Sequence, residues 1–165
     1  MKSFIMMSVA ALILPMTAFA QTGASSISAQ DRSFVTTAAA AGLSEVQEGQ
    51  LAASKGDRAV QNIGNRMVTD HTKANNALSA LASSKGLTVP DHVTDSQAAE
   101  LTHLQGLSGA AFDSAYLEDQ HRAHVEAIEL FEMEAKSGSD ADIKTFATNT
   151  LPTLKMHLHM IKAAQ

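Results

Sequence analysis

Apolar side chains recur at steps of three and four residues along four long stretches of the chain. Such spacing places them on one face of a helix, because an α-helix turns once every 3.6 residues. The four stripes are Phe34, Ala38, Ala41, Gly49 and Ala52; Val60, Ile63, Met67, Ala74, Leu78 and Leu81; Phe112, Tyr116, Leu117, Ala127, Ile128 and Phe131; and Ile143, Phe146, Ala147, Leu154 and Ile161. Helices of this kind bury their apolar faces against one another, so the sequence predicts an all-α four-helix bundle.

Turn and capping residues set the ends of the predicted helices. Ser28 or Asp31 caps the first helix, and Asp57 and Asp140 are N-cap candidates for the second and fourth. Gly56 and Gly138 follow closely on the helices before them, and turns this short require the joined helices to lie antiparallel. The predicted spans are 30–54, 57–85, 110–136 and a fourth helix that begins after Asp140 and continues past Ile161.

The segment between the two predicted hairpins differs from a tight turn. Residues 87–109 contain Val89-Pro90-Asp91, which is typical of a loop, and then one short amphipathic helix at 94–107. This segment is long enough to run the length of the bundle as a crossover. Pro152 falls inside the fourth helix and predicts a kink just before Leu154.

The beginning of the chain has the character of a secretory signal. Lys2 precedes an apolar run from Phe4 to Pro15, and the small residues Ala18 and Ala20 follow it. We therefore expect an exported, periplasmic protein, and we leave open a peripheral association with the outer membrane. The predicted organisation is a signal peptide at 1–20, a disordered leader at 21–29 and one helical domain at 30–165.

Charge and composition narrow the classes of partner and ligand. The net charge is −5 and no basic stripe is present, which argues against nucleic acid as a partner. Beyond the signal segment, no apolar run is long enough for a transmembrane helix. The chain has no Cys, so a metal site would depend on nitrogen and oxygen ligands. An envelope-protein partner and a homo-oligomer both stay open.

Each of the four predicted stripes carries one metal-capable side chain near its middle: Glu45, His71, His124 and His157. At 1.5 Å per residue, Glu45 and His71 lie about 15 and 22 Å from the first hairpin turn, and His124 and His157 lie about 18 and 26 Å from the second. The four side chains can therefore occupy neighbouring layers of the core. A buried polar group requires a partner, and a metal ion would satisfy all four.

One carboxylate and three imidazoles form a complete ligand set for a divalent transition metal, with Zn, Cu, Ni, Fe and Mn all compatible. We expect Asp70, Tyr116 and Gln120 to orient the ring nitrogens that do not bind the ion. The alternative is a metal-free network in which the histidines form hydrogen bonds with Glu45, Asp70 or Tyr116. His92, His103 and His159 are interpreted as surface residues.

Three further side chains, Glu48, Glu118 and His121, are less favoured candidates for ligands. Glu118 and His121 form a Glu-x-x-His step, which is half of the di-iron carboxylate pattern, but no second copy is present. A di-iron oxidoreductase is therefore the least favoured function. Glu48 lies one turn from Glu45, and we interpret it as an exposed helix charge rather than as an auxiliary ligand.

Four segments carry a resemblance to a known family: LSEVQEGQLA, MVTDHTKAN, AFDSAYLEDQHRAHVEAIELFE and TLPTLKMHLHM. They resemble a family of exported bacterial proteins that is catalogued as a domain of unknown function and often labelled as outer-membrane proteins. The resemblance implies a ferritin-like antiparallel four-helix bundle and does not imply an activity. Its recurrent polar positions fall on Glu45, Asp70, His71, Asp113, Tyr116, His124, Pro152 and His157. Among these, Asp113 joins Asp70 and Tyr116 as a residue expected to support the ligands.

Two functions remain in competition at the level of sequence. The first is a periplasmic bundle that binds a divalent transition metal, in order to buffer, sense or deliver it. The second is a non-catalytic envelope or stress-response module with a metal-free histidine and glutamate network. No Gly-rich phosphate loop and no nucleophile motif is present, so we favour a role without catalysis.

Overall fold

The computed structural model describes residues 27–165, which form five helices and no strand. The helices are α1 (Ala29–Lys55), α2 (Arg58–Ser84), α3 (Asp95–Gly106), α4 (Gly109–Ser137) and α5 (Ala141–Ala164). The all-α prediction is confirmed, and the helix ends agree with the predicted ones to within a few residues. The predicted signal peptide and residues 21–26 of the predicted leader lie outside the described residues.

The predicted N-caps are present at the starts of α1, α2 and α5. Ser28 and Asp31 form a capping box, in which each side chain accepts a hydrogen bond from the backbone N–H of the other. Asp57 accepts a hydrogen bond from the N–H of Val60, and Asp140 accepts one from that of Ile143. These side chains satisfy N–H groups that have no partner inside their helices.

The helices form two antiparallel hairpins, α1 with α2 and α4 with α5, joined by a crossover. At one end of the bundle, the N–H of Asp57 donates to Asp113; at the other, the ammonium of Lys85 lies 2.9 Å from the carboxylate of Asp140. Helices α2 and α4 are therefore parallel, and residues 87–108 run the length of the bundle between them. The predicted crossover is confirmed.

Helix α3 forms the second half of the crossover and packs against α1 and α4. Its one fully buried apolar side chain is Leu104, which is 0% exposed. The ammonium of Lys55, at the end of α1, donates to the carbonyl groups of Leu104 and Gln105. These bonds attach the end of α3 to the turn of the first hairpin.

A polar layer divides the core into two apolar clusters. One cluster fills the end of the bundle at which α1 begins and includes Phe34, Leu78, Phe131, Ile143 and Leu154. The other fills the opposite end and includes Val60, Met67, Phe112, Tyr116 and Ile161. Glu45, His71, His124 and His157 lie between the two clusters along all four helices, as the stripes predict.

Pro152 lies on the exposed side of α5, which is one continuous helix through that position. The predicted kink remains a prediction. Among the described helices, none combines the length and the apolar character needed to cross a bilayer.

Helices α1 and α2 approach most closely where two glycines face each other. A Cβ atom added to Gly49 would lie 2.9 Å from the carbonyl oxygen of Gly64, and one added to Gly64 would lie 2.6 Å from the carbonyl oxygen of Gly49. A Cβ on Gly64 would also lie 2.7 Å from the backbone nitrogen of Ala53. Backbone atoms cannot give way as a flexible side chain can, so this contact requires both glycines.

We expect Gly64→Ala to lower the free energy of unfolding by about 1–3 kcal/mol, because the added methyl group forces the two backbones apart. Gly106→Ala is the matched control, since a Cβ atom there has no neighbour within 4 Å. The control should leave stability unchanged or raise it by up to about 1 kcal/mol through helix propensity. Urea unfolding followed by circular dichroism measures both variants, and equal stability of the two would contradict the close contact.

Candidate metal centre

Three histidines from three helices converge in the polar layer. His71 of α2, His124 of α4 and His157 of α5 each offer a ring nitrogen within 4.8 Å of the other two. Nε2 of His124 and Nδ1 of His157 are 3.3 Å apart. All three side chains are buried, with exposures of 9% for His71 and 0% for the others. Within residues 27–165, this group is the candidate metal centre, and we call it the three-histidine site.

The remaining nitrogens of His124 and His157 are held by oxygen acceptors. Nε2 of His157 lies 2.9 Å from Oδ2 of Asp70, and Nδ1 of His124 lies 3.0 Å from the backbone carbonyl oxygen of Gln120. Neither acceptor can donate a hydrogen bond, so we assign the ring protons to these two nitrogens. In the neutral rings, Nε2 of His124 and Nδ1 of His157 then carry lone pairs that face each other.

His71 completes the group with an unsatisfied nitrogen. Its Nε2 atom is buried and has no hydrogen-bond partner. Its ring centroid lies 5.7 Å from that of His124 and 5.3 Å from that of His157. A buried polar atom without a partner is costly, and a coordinated ion would remove that cost.

Burial keeps the three rings neutral. It lowers the pKa of His71 to about 3, with further lowering from the charges of His124 and His157, and it lowers the pKa of His124 to about 4. Burial also lowers the pKa of His157, although the Asp70 carboxylate acts in the opposite direction. Neutral imidazole is the form that binds a metal, so the rings are in their ligating state without loss of a proton.

Asp70 is held as a carboxylate beside His157. Partial burial raises the pKa of Asp70, but hydrogen bonds from His157 and Arg66 outweigh burial, so that the net shift is downward. Nε of Arg66 lies 2.5 Å from Oδ2 of Asp70. Asp70 thus accepts the hydrogen bond from Nε2 of His157, the ring nitrogen opposite to the one near His124, and its role in supporting a metal ligand remains a prediction.

Glu45 does not join the three histidines. Its Oε1 atom lies 3.7 Å from Nδ1 of His124, the nitrogen that points away from His157. Its Oε2 atom is buried without a hydrogen-bond partner. Burial raises the pKa of Glu45 to about 8 against a hydrogen bond from Gln120, and the charge of Asp119 raises it further. The predicted carboxylate ligand therefore lies behind His124 and not beside the ligand atoms.

The interpretation of Glu48 as an exposed helix charge is wrong, because its side chain is only 4% exposed. Glu48 accepts hydrogen bonds from the hydroxyl of Ser44 at 2.7 Å and from the amide of Gln120 at 2.9 Å. The pKa of Glu48 is raised to about 8. Burial is the largest cause, and the negative charges of Glu45 and Asp119 raise the pKa further. We call Glu45, Glu48 and Asp119 the acidic cluster.

Asp119 was not predicted from the sequence, although its side chain is buried and forms an ion pair with Arg122. It lies on the flank of the α4 stripe, one residue before Gln120, and the apolar pattern does not mark it. The sequence gives one signal for the acidic cluster, and it concerns α1 and not Asp119. Glu45 and Glu48 are three residues apart, which places both on the same face of that helix.

Other predicted residues take different roles from those expected. Gln120 orients His124 through its backbone carbonyl, while its side chain binds Glu48. The hydroxyl of Tyr116 is buried and forms no hydrogen bond, so it does not hold a histidine ring by such a bond. Asp113 accepts the N–H of Asp57 at the hairpin end, about 16 Å from His124 along α4, so the expectation that it supports a ligand is wrong.

Glu118 and His121 do not join the site either. Glu118 is exposed on the outer face of α4, and His121 is half-buried outside the three-histidine group. His92, His103 and His159 are exposed, as predicted. The described residues therefore do not assemble the Glu-x-x-His step into a di-iron arrangement.

A cavity of about 630 Å³ opens beside the site. Its polar wall includes His71, His157 and the acidic cluster, and its apolar wall includes Leu78 and Phe131. Exposed residues at the rim, such as Ser96 near the start of α3, mark where it reaches solvent. The three-histidine site is thus accessible to small ligands from one side.

Comparisons with known proteins identify a family and a fold. A family described as "Domain of unknown function (DUF4142)" matches residues 16–164. A crystal structure of a DUF305 fragment from Deinococcus radiodurans is similar, with a TM-score of 0.72 at 13% identity, over 83% of this chain and 95% of that chain. At this identity the likeness shows the helical fold alone. A comparison with curated proteins finds no match.

The ring protons of the metal-free protein provide a direct check of the site geometry. We expect long-range proton–nitrogen NMR spectra to show His157 as the Nε2–H tautomer and His124 as the Nδ1–H tautomer. The exposed His159 should give averaged signals from both tautomers. Asp70→Asn should weaken the preference at His157 and leave that of His124 unchanged. A proton on Nδ1 of His157 in the native protein would contradict the facing lone pairs.

Proposed function

This chain belongs to the DUF4142 family, and we propose that it binds a divalent transition metal through His71, His124 and His157. The facing lone pairs on Nε2 of His124 and Nδ1 of His157 carry this proposal. Without an ion or a proton between them, two lone pairs at 3.3 Å repel each other. A cation turns the same contact into an attraction.

The separation of these nitrogens supports coordination. Two nitrogens bound to one tetrahedral ion at about 2.0–2.1 Å lie about 3.3–3.4 Å apart. His124 and His157 already have that spacing. The ring nitrogens of all three histidines lie within 4.8 Å of one another, so only a small movement of the His71 ring is needed for a common ion. The Asp70 carboxylate on His157 and the Gln120 carbonyl on His124 correspond to the supporting contacts found around metal-binding imidazoles.

The donor set limits the class of ion. Three neutral imidazoles favour Zn²⁺, Cu²⁺, Ni²⁺ or Fe²⁺, whereas Mg²⁺ and Ca²⁺ prefer oxygen ligands. Mn²⁺ is compatible but less favoured by nitrogen ligands. With three protein ligands, one coordination position faces the cavity, where water or a small molecule can bind. This geometry suits a protein that takes up and releases its ion.

The cellular role that fits best is metal buffering or delivery in the periplasm. Export rests on the signal-like segment at 1–20. The alternative is a metal-free structural module, which is favoured by the hydrogen bonds that His124 and His157 already form with Gln120 and Asp70. It does not account for the unsatisfied Nε2 atom of His71.

His71→Leu separates these two functions. Because Nε2 of His71 has no hydrogen-bond partner, a similarly sized apolar side chain should leave the metal-free stability unchanged or raise it. Metal affinity should fall at least about tenfold, since one of three ligands is lost. Isothermal titration with Zn²⁺ and Ni²⁺ of chelator-treated protein measures the affinity, and thermal unfolding measures the stability.

His159→Leu is the matched control, since it removes an exposed imidazole from α5, two residues after His157. It should leave affinity unchanged. At a metal concentration one hundred times the dissociation constant, the native protein should gain about 2.7 kcal/mol of stability, and His71→Leu should gain much less. Equal Zn²⁺ affinity of the native and His71→Leu proteins would reject the proposed site in favour of the metal-free module.

A further inference from the structure

The cavity beside the three-histidine site opens on one side of the bundle. Six of the residues that line it are exposed, and they come from α1, from α4 and from the start of α3 with its N-cap: Thr36, Thr37, Thr94, Ser96, Arg122 and Glu126. The lining residues on α2 and α5 are buried or half-buried. The mouth of the cavity therefore lies between α1 and α4, and the beginning of α3 forms one edge of it.

The first half of α3 is weakly attached to the rest of the bundle. Residues 95–103 are exposed or half-buried, and Leu104 in the last turn is the buried residue of this helix. Among the described residues, the hydrogen bonds from another helix to α3 come from Lys55, and they also reach its last turn. The first half has one ion pair, between Glu100 and Arg122 at 4.0 Å, and a solvent-accessible pair at this distance holds weakly.

The sequence explains why the two halves of α3 are attached unequally. The buried apolar side chain, Leu104, comes late in the helix, whereas the residues that line the cavity from its first half are polar, such as Gln97 and Glu100. The neighbouring lining residues of α1 and α4 include Ala41 and Ala123, whose side chains are short. The first half of α3 therefore covers a space and buries little apolar surface of its own.

Helix α3 can move as one unit and keep its own hydrogen bonds. Thr94 and Gln97 form a capping box, so the N–H groups of the first turn are satisfied within the helix itself. Residues 91–94, before the helix, lie outside any helix and are mostly exposed. At the other end, a Cβ atom added to Gly106 would have no neighbour within 4 Å. Rotation about the attached end would uncover the mouth while the helix stays intact.

We propose that α3 is a hinged lid on the cavity, attached at Leu104 and free to open at Thr94, and that its opening sets the rate at which ions enter and leave the three-histidine site. The part that concerns ions rests on the proposed function, whereas control of access to the cavity does not. Helix α3 supplies no ligand to the three-histidine site. Opening should therefore change the rates of binding and release by the same factor and leave the affinity unchanged.

Modification of His71 by diethyl pyrocarbonate tests the lid in the metal-free chain. The reagent reacts with neutral imidazole, and it has to enter the cavity to reach His71, which lines it. Leu104→Ala removes the buried anchor of α3, so modification of His71 should become at least about tenfold faster. The exposed His159 of the same molecule should react at an unchanged rate. Peptide mass spectrometry measures the rate at both residues.

Leu117→Ala is the matched control, because it removes the same side chain from the same apolar cluster but on α4. It should keep the rate at His71 within about twofold of the native rate, since the lid remains anchored. Glu100→Gln tests the lid without emptying a buried position, and loss of its ion pair should speed modification about two- to fivefold. Glu118→Gln, at an exposed carboxylate outside the cavity, should have no effect. Circular dichroism checks that each variant is folded.

Release of Zn²⁺ to an excess of chelator then measures control of the ion. Leu104→Ala should speed binding and release by the factor found at His71, with the dissociation constant within about twofold of the native value. Equal acceleration at His71 by Leu104→Ala and Leu117→Ala, or none by Leu104→Ala, would overturn the lid whether or not the chain binds Zn²⁺. A native chain that binds no Zn²⁺ but shows the expected rates at His71 would reject the proposed function and support the lid.

Discussion

The contact between Nε2 of His124 and Nδ1 of His157 is the constraint on which the polar layer depends. Two acceptors outside the pair, the Asp70 carboxylate and the Gln120 carbonyl, hold the ring protons on the far sides of the two imidazoles. Each of these bonds is ordinary by itself. Together they direct two bare nitrogens at each other in the buried core, where electrostatic interactions are strong in either direction. Repulsion between these two lone pairs is therefore the interaction that the proposed cation would relieve.

The apolar pattern predicts most of the fold, because each helix buries one continuous stripe. The histidines were found for the same reason, since they interrupt stripes that are otherwise apolar at His71, His124 and His157. The crossover could be predicted from the loop composition around Pro90, the short helix that follows and the length of the segment. The N-cap residues could also be predicted from the sequence, because Ser28, Asp57 and Asp140 stand directly before periodic segments.

Side-chain direction within the polar layer could not be predicted from spacing. Glu45 lies at the right height, but its carboxylate falls on the far side of His124, and helical spacing does not set the side-chain rotamer. Glu48 was misjudged because a charge on a helix flank is usually solvated, whereas here α4 covers it with Gln120. Asp113 was misassigned because a resemblance indicates that a position matters without indicating whether it supports a ligand or a turn.

The two hairpins contribute unequally to the three-histidine site. His71 comes from the first hairpin, whereas His124 and His157 both come from the second, and Asp70 bridges from the first to His157. An ion held by these rings would therefore cross-link segments that are remote in the chain. It could bind tightly only after the last helix had docked, so that retention of the ion would report completed folding and protect the assembled bundle from proteolysis.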